Sequence, residues 1–207
     1  VRDIYSKECE IKLALQKKLS KVLHLYGYQD IQTPTLEYYE VFRKEIGSTS
    51  TQELYKLFDR EGNILALRPD ITPSVARAAA TLFENEEKPV RLCYAGNTFI
   101  NHSSYQGRLK ENTQLGAELI GLDSVEADAE LIAMVADGLK QVGLKEFQIS
   151  LGHVDFVKSL MEAAGLGEEE SHEIRELIAN RNFFGVEELL DGRKVKPAIR
   201  EAFRILP

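Results

Sequence analysis

An amide and a carboxylate flank a glycine in Gln114-Leu115-Gly116-Ala117-Glu118, the grouping in this chain best suited to gripping a small molecule. Read as a strand, residues 113–119 alternate: Gln114, Gly116 and Glu118 point one way, and Leu115, Ala117 and Leu119 the other. One face belongs to a core and the other forms a floor. A glycine between two polar side chains leaves room for a ligand to approach the backbone, and a carboxylate beside it suits an ammonium group. A second polar pair, Asp70 and Thr72, falls at the mouth between a strand-like run and a helix N-terminus. Loop residues carried on a rigid sheet are where binding groups tend to sit. On residue types alone the competing reading is a solvated sheet face, with Asp70 merely serving the helix start. Gly116 favours the site, because glycine weakens a strand interior and needs a reason to be there.

Those groups require a scaffold. Residues 91–121 read as two antiparallel strands around a polar loop. Ser6 opens an amphipathic helix with Ile11, Leu15, Leu19, Val22, Leu23 and Tyr26 on one stripe, closed by Gly27 and expected to pack on a sheet. Residues 28–33 read as a strand running into Pro34, whose missing N–H favours an edge or an interface, and 37–45 as a short helix. Runs 54–59 and 64–68 read as strands around Arg60-Glu61-Gly62-Asn63. Thr72 then caps a helix through residue 83, with Pro73 at its first position.

Asp123 with Glu126 reads as a capping box for a helix to residue 142, with Ala129, Ile132, Ala136 and Leu139 on its apolar stripe and Gly143 at its end. Residues 147–151 read as a further strand. Helices follow near 155–164, 168–180, 186–190 and 197–203, with Glu168-Glu169-Glu170 charging one N-terminus. The expected architecture is α+β: an antiparallel sheet flanked by helices over 1–152, then a smaller helical region over 153–207.

Composition narrows the function classes. Hydrophobic residues make up 43% of the 207, ordinary for a soluble globular protein. No apolar stretch approaches the roughly 20 residues that span a bilayer, and the N-terminus lacks a signal-type apolar region, so the expectation is a cytoplasmic protein with no membrane contact. A net charge of −7 argues against a broad electrostatic footprint for nucleic acid. Cys9 and Cys93 lie far apart and read as small hydrophobes. His24, His102, His153 and His172 form no H-x-x-H spacing, and no phosphate-cradling glycine run occurs, so neither metal nor cofactor is expected. His102 reads as an exposed loop residue, and Arg77 and Arg91 as solvent or ion-pair residues.

Three motifs occur in order: Tyr26-Gly27-Tyr28 through Pro34, Leu67-Arg68-Pro69-Asp70-Ile71-Thr72, and the hairpin of residues 91–121. They resemble motif 1, the L-R-P-E-x-T segment and motif 2 of the histidyl-tRNA synthetase family, which includes non-aminoacylating paralogues that serve as regulatory subunits of ATP phosphoribosyltransferase. The resemblance implies a class II aminoacyl-tRNA synthetase-like fold, Pro34 at the interface of a class II-type dimer, and histidine held by Asp70, Thr72, Gln114 and Glu118. Asp70 stands where the family has glutamate, so its carboxylate retreats by roughly 1.5 Å, one carbon–carbon bond.

The hairpin departs further from the synthetases. Their F-R-x-E carries an arginine that neutralises the ATP α-phosphate, whereas the aligned residues are Phe99-Ile100-Asn101-His102. Isoleucine cannot do that work, and losing a preorganised donor to developing charge costs about 100- to 1,000-fold in rate. Arg108 survives from a G-R pair as a candidate contact to an anion or ligand, followed by Lys110 and Asn112 where the family has a basic and an aromatic residue. The resemblance therefore implies a regulatory subunit without catalysis. Its partner would be the short-form catalytic subunit of the first step of histidine biosynthesis, and its effector histidine. A divergent histidyl-tRNA synthetase core and a stand-alone histidine-binding module are the alternatives. No motif 3 counterpart is present, and the ends Val1 and Pro207 read as those of a fragment, with 153–207 an insertion.

Overall fold

A computed structural model describes residues 2–43, 51–86, 89–102, 108–193 and 195–205, which fall into two compact units, Val1–Phe147 and Gln148–Pro207. In the first, α1 (Ser6–Leu25) is followed by β1 (Gln29–Asp30), β2 (Leu36–Tyr38) and α2 (Glu40–Arg43). A 3-10 turn at Thr51–Glu53 precedes β3 (Lys56–Phe58), β4 (Ile64–Leu67), α3 (Thr72–Leu82), the long strands β5 (Val90–Phe99) and β6 (Glu111–Ile120), and α4 (Val125–Gln141). One sheet has the order β1-β5-β6 and the other β2-β4-β3. All pairs are antiparallel except β1 with β5, which run parallel.

The β5–β6 hairpin divides two cores. Leu115, Ala117 and Leu119 pack against Val22, Leu23, Tyr28, Cys93 and Met134, the side covered by α1 and α4. On the opposite side Leu92 and Tyr94 meet Ile71 and Val75 of the α3 region. The alternation expected for residues 113–119 is thus realised, because each face has its own layer to bury against.

Several local expectations shift. Tyr5, not Ser6, occupies the cap of α1, without a capping side chain. Only the C-terminal half of that helix is covered: Val22 and Leu23 are buried, whereas Ile11 and Leu15 are exposed. Gly27, at φ +84°, closes α1 as expected, with Tyr28 N donating to Leu23 O and Gly27 N to His24 O. The expected strand over 28–33 shrinks to β1, and Pro34 is exposed in the loop behind it.

Residues 37–43 do not form one helix, because Leu36–Tyr38 pair with β4 and only Glu40–Arg43 are helical; residue 45 lies outside the described residues. Ser124 rather than Asp123 caps α4, accepting from Ala127 N, so Ala127, Met134 and Gly138 are buried while Ala129 is exposed. Residues 147–151 form no strand; a strand needs a neighbouring edge, and neither described sheet extends to them.

β2 carries a buried acid. Glu37 is 6% exposed and accepts from Arg77 of α3 at 2.9 and 2.8 Å. Replacing Arg77 with methionine leaves this carboxylate buried without its partner. We expect a loss of about 3 kcal/mol, the lower end for breaking a buried pair because Arg77 is partly solvated. Chemical denaturation checks this. A change within 0.5 kcal/mol, the ordinary surface range, would contradict it.

Among the described residues the second unit holds four helices: α5 (Val154–Ala163), α6 (Glu168–Ala179), α7 (Phe183–Asp191) and α8 (Pro197–Arg204). Leu160, Met161, Ile174, Val186, Leu190 and Phe203 form its core. The triple-glutamate run opens α6 as expected, with Glu170 accepting from Gly167 N at 3.0 Å. Among the described residues no helix is long and apolar enough to cross a membrane.

Candidate functional site

The turn from β4 into α3 brings Asp70 and Thr72 against the β6 face that carries Gln114 and Glu118. Gln114 bridges the turn: its amide N–H donates to Asp70 Oδ1 at 2.8 Å, and its carbonyl accepts from Ile71 N at 3.1 Å. Asp70 Oδ1 also accepts from Thr72 N at 3.1 Å. Thr72 is not the cap of α3, a position held by Ile71 with no capping side chain. Instead the Thr72 hydroxyl donates to Glu118 Oε1 at 2.7 Å.

The residue missed in the sequence is Tyr94. It lies opposite Gly116 in the hairpin register, is 6% exposed, and its hydroxyl donates to Glu118 Oε1 at 3.1 Å, 3.2 Å from the Thr72 hydroxyl. Burial above all, helped by the Glu118 charge, pushes this phenol up to about 12, so it remains a neutral donor. A Cβ on Gly116 would fall 2.5 Å from Tyr94 Oη and 2.6 Å from Cζ. The glycine therefore makes room for the tyrosine ring rather than for a ligand at the backbone, a correction to the sequence reading. An aromatic packed over a cross-strand glycine is a recognised pairing, and the register was the signal that could have found it.

Each carboxylate is thereby oriented through one oxygen only. Among the described residues Asp70 Oδ2 and Glu118 Oε2 have no hydrogen-bond partner. Two part-buried acids, each fixed by neutral donors and each with an oxygen free, make a floor that attracts a cationic group without a protein cation competing for it. Gln114, engaged with the turn through both ends of its amide, acts as an orienter of Asp70.

Arg68 of the same segment is 8% exposed and donates from Nε to Asn97 O at 2.8 Å and from Nη1 to Thr33 O at 2.8 Å. Its Nη2 occupies the space a Cβ on Gly96 would need. It pins the loop before β2 to β5.

Ile100 lies apart from this cluster. It follows β5 four residues beyond Gly96, the partner of Gln114, or about 13 Å along the strand at roughly 3.3 Å per residue. Its backbone N–H donates to Lys110 O, and its side chain is half-buried. His102 is not exposed as expected: its side chain is 13% accessible and lies 3.2 Å from Glu53. Arg108 is exposed and makes no hydrogen bond or ion pair with the described residues; residues 103–107, with Gly107 of the G-R pair, lie outside them. Arg77 and Arg91 both prove to be ion-pair residues, Arg91 reaching Glu130 through two bonds of 3.0 and 2.9 Å.

The chain is similar in sequence and fold to known proteins over nearly all of its length. It is 41% identical over 207 residues to the ATP phosphoribosyltransferase regulatory subunit of Acetivibrio thermocellus, covering all of this chain and 50% of that one. A crystal structure of an ATP phosphoribosyltransferase regulatory subunit/histidyl-tRNA synthetase from Bacillus halodurans superposes with a TM-score of 0.86 at 34% identity, over 98% of this chain and 52% of that one. A histidine–tRNA ligase subunit from Alicyclobacillus acidocaldarius gives 0.82 at 25% identity, over 95% and 57%. The chain spans about half the length of the curated relatives it matches. The fold is that of the class II synthetases, and with a family model described as histidyl-tRNA synthetase matching residues 1–207, the chain belongs to the histidyl-tRNA synthetase family.

Proposed function

We propose that this chain is the synthetase-like core of a regulatory subunit of ATP phosphoribosyltransferase, binding histidine on the Asp70–Thr72–Gln114–Glu118 face and performing no chemistry of its own. The observation that carries the reading is Ile100, an aliphatic side chain at the hairpin position where a synthetase needs a guanidinium for the ATP α-phosphate. The names of the relatives support the same side of the family. The intact protein assembles with a short-form catalytic subunit in the cytoplasm, activates it, and transmits histidine feedback in the first step of histidine biosynthesis. Histidine acts by binding one arrangement of the assembly more tightly than another, since a ligand shifts an equilibrium only through differential affinity. Self-association as a class II-type dimer places the exposed Pro34 segment at the contact, and the 153–207 region is an insertion into the synthetase-like core.

Two measurements on the full-length protein decide this. Exchange of pyrophosphate into ATP in the presence of histidine should stay at background, because at least 100-fold or so is lost with the missing donor alone. Co-expression should yield a stable complex with a short-form catalytic subunit whose activity histidine suppresses. Robust exchange favours the divergent synthetase and overturns the proposal. Failure to capture or activate the catalytic subunit leaves a histidine-binding module instead.

A further inference from the structure

On the side of the hairpin away from the amino-acid face, the fold gathers three chemically different donors that the linear sequence keeps apart. His24 stands in the last turn of α1, Asp30 in β1, and Cys93 in β5. The Gly27 turn swings the chain back so that β1 runs beside β5, pairing Asp30 directly with Cys93, and Ile31 N donates to Cys93 O at 2.9 Å. Asp30 Oδ2 consequently lies 3.1 Å from His24 Nε2, and Cys93 Sγ lies 3.5 Å from Asp30 Oδ1. All three donor atoms fall within 4.8 Å of one another.

We propose that His24, Asp30 and Cys93 form a binding site for a zinc-class divalent cation, with water in a fourth position. Imidazole, carboxylate and thiolate are the three ligand types zinc takes, at about 2.0–2.3 Å, and donors around a tetrahedral ion stand about 3.3–3.6 Å apart. Two separations, 3.1 Å from His24 Nε2 to Asp30 Oδ2 and 3.5 Å from Cys93 Sγ to Asp30 Oδ1, lie near that spacing and the whole group falls within 4.8 Å, so side-chain movements of up to about an ångström close the three donors around an ion. Access is built in: Cys93 is 1% exposed and forms the floor, while the His24 and Asp30 side chains are 46% and 71% exposed and form an open rim.

Without an ion the groups satisfy one another, the thiol donating to Asp30 and Asp30 facing His24. Binding replaces those contacts. The thiol proton leaves to solvent as the Zn–S bond forms, the imidazole presents Nε2 as a neutral ligand, and the carboxylate enters as it stands. The separated positions of these residues explain why no metal spacing shows in the sequence; the Cys93–Asp30 contact bridges 63 positions. The site is independent of the histidine reading, since Cys93 packs with Val22, Leu23 and Met134 rather than with Tyr94 and Ile71.

Cobalt(II) titration of the full-length protein should produce a near-ultraviolet thiolate-to-cobalt charge-transfer band saturating at one ion per chain, and zinc should abolish it by competition. Cys93→Ser should remove the band. His24→Gln and Asp30→Asn, on the exposed rim where folding is least at risk, should each weaken zinc binding by at least about 10-fold, the least that losing even an outer-shell partner costs. Absence of a band, a band that survives Cys93→Ser, or zinc affinity unchanged in both rim variants would each overturn the site.

Discussion

Gly116→Ala should lower stability by about 2–3 kcal/mol, the upper part of the range for overpacking a filled interior, and Tm by roughly 4–12 °C in a domain of this size. The added methyl would stand 2.5 Å from Tyr94 Oη and 2.6 Å from Cζ, closer than non-bonded carbon tolerates. The ring has nowhere to retreat. It is 6% exposed, packs with Ile71, Val75 and Leu92, and holds Glu118 through its hydroxyl. Relief must come from moving the hairpin or breaking the Tyr94–Glu118 bond, so histidine affinity should fall along with stability. A double-mutant cycle with Tyr94→Leu isolates the cause: alanine at 116 should be far better tolerated once the phenol is gone, with a coupling energy of about 1–3 kcal/mol. If Gly116→Ala is neutral in the wild-type background, the glycine serves an open ligand floor instead.

The same pair shows what sequence could and could not deliver. Alternation along residues 113–119 identified which side chains share the site face, because strand geometry leaves no other option once both faces are buried. It could not identify what fills the space above Gly116, since that depends on which residue of β5 stands opposite. The motif order located Asp70 and Thr72, yet assigned the Thr72 hydroxyl to helix capping, its usual role before proline. A stronger acceptor 46 positions away, the Glu118 carboxylate, takes that hydroxyl instead, and Asp70 supplies the acceptor for the Thr72 N–H.

Glu37 lies in a strand rather than the expected helix for a similar reason. Its surroundings read as helical, but β4 offers an edge to pair with and Arg77, 40 positions on, neutralises the buried acid. Long-range pairing overrode local propensity in each case. Where no such pairing intervened, as in the helices of the second unit, the local pattern sufficed to place the elements.

Glu118→Ala should abolish measurable histidine binding by the full-length protein, and the isosteric Glu118→Gln should weaken it at least about 30-fold. That factor corresponds to about 2 kcal/mol at 1.4 kcal/mol per tenfold, the lower end for removing one partner of a desolvated charge pair. The glutamine variant is the more informative. Its carbonyl oxygen can still accept from the Thr72 and Tyr94 hydroxyls, now 2.7 and 3.1 Å from Glu118 Oε1, so the local packing should survive. What disappears is the negative charge at Oε2, the oxygen without a partner among the described residues. Isothermal titration calorimetry reads the affinity and thermal unfolding confirms that the variant is folded. Wild-type affinity in a folded Glu118→Gln protein would mean that the cationic groups of histidine are met elsewhere, and that this carboxylate is held by Thr72 and Tyr94 for the sake of the hairpin rather than of a ligand.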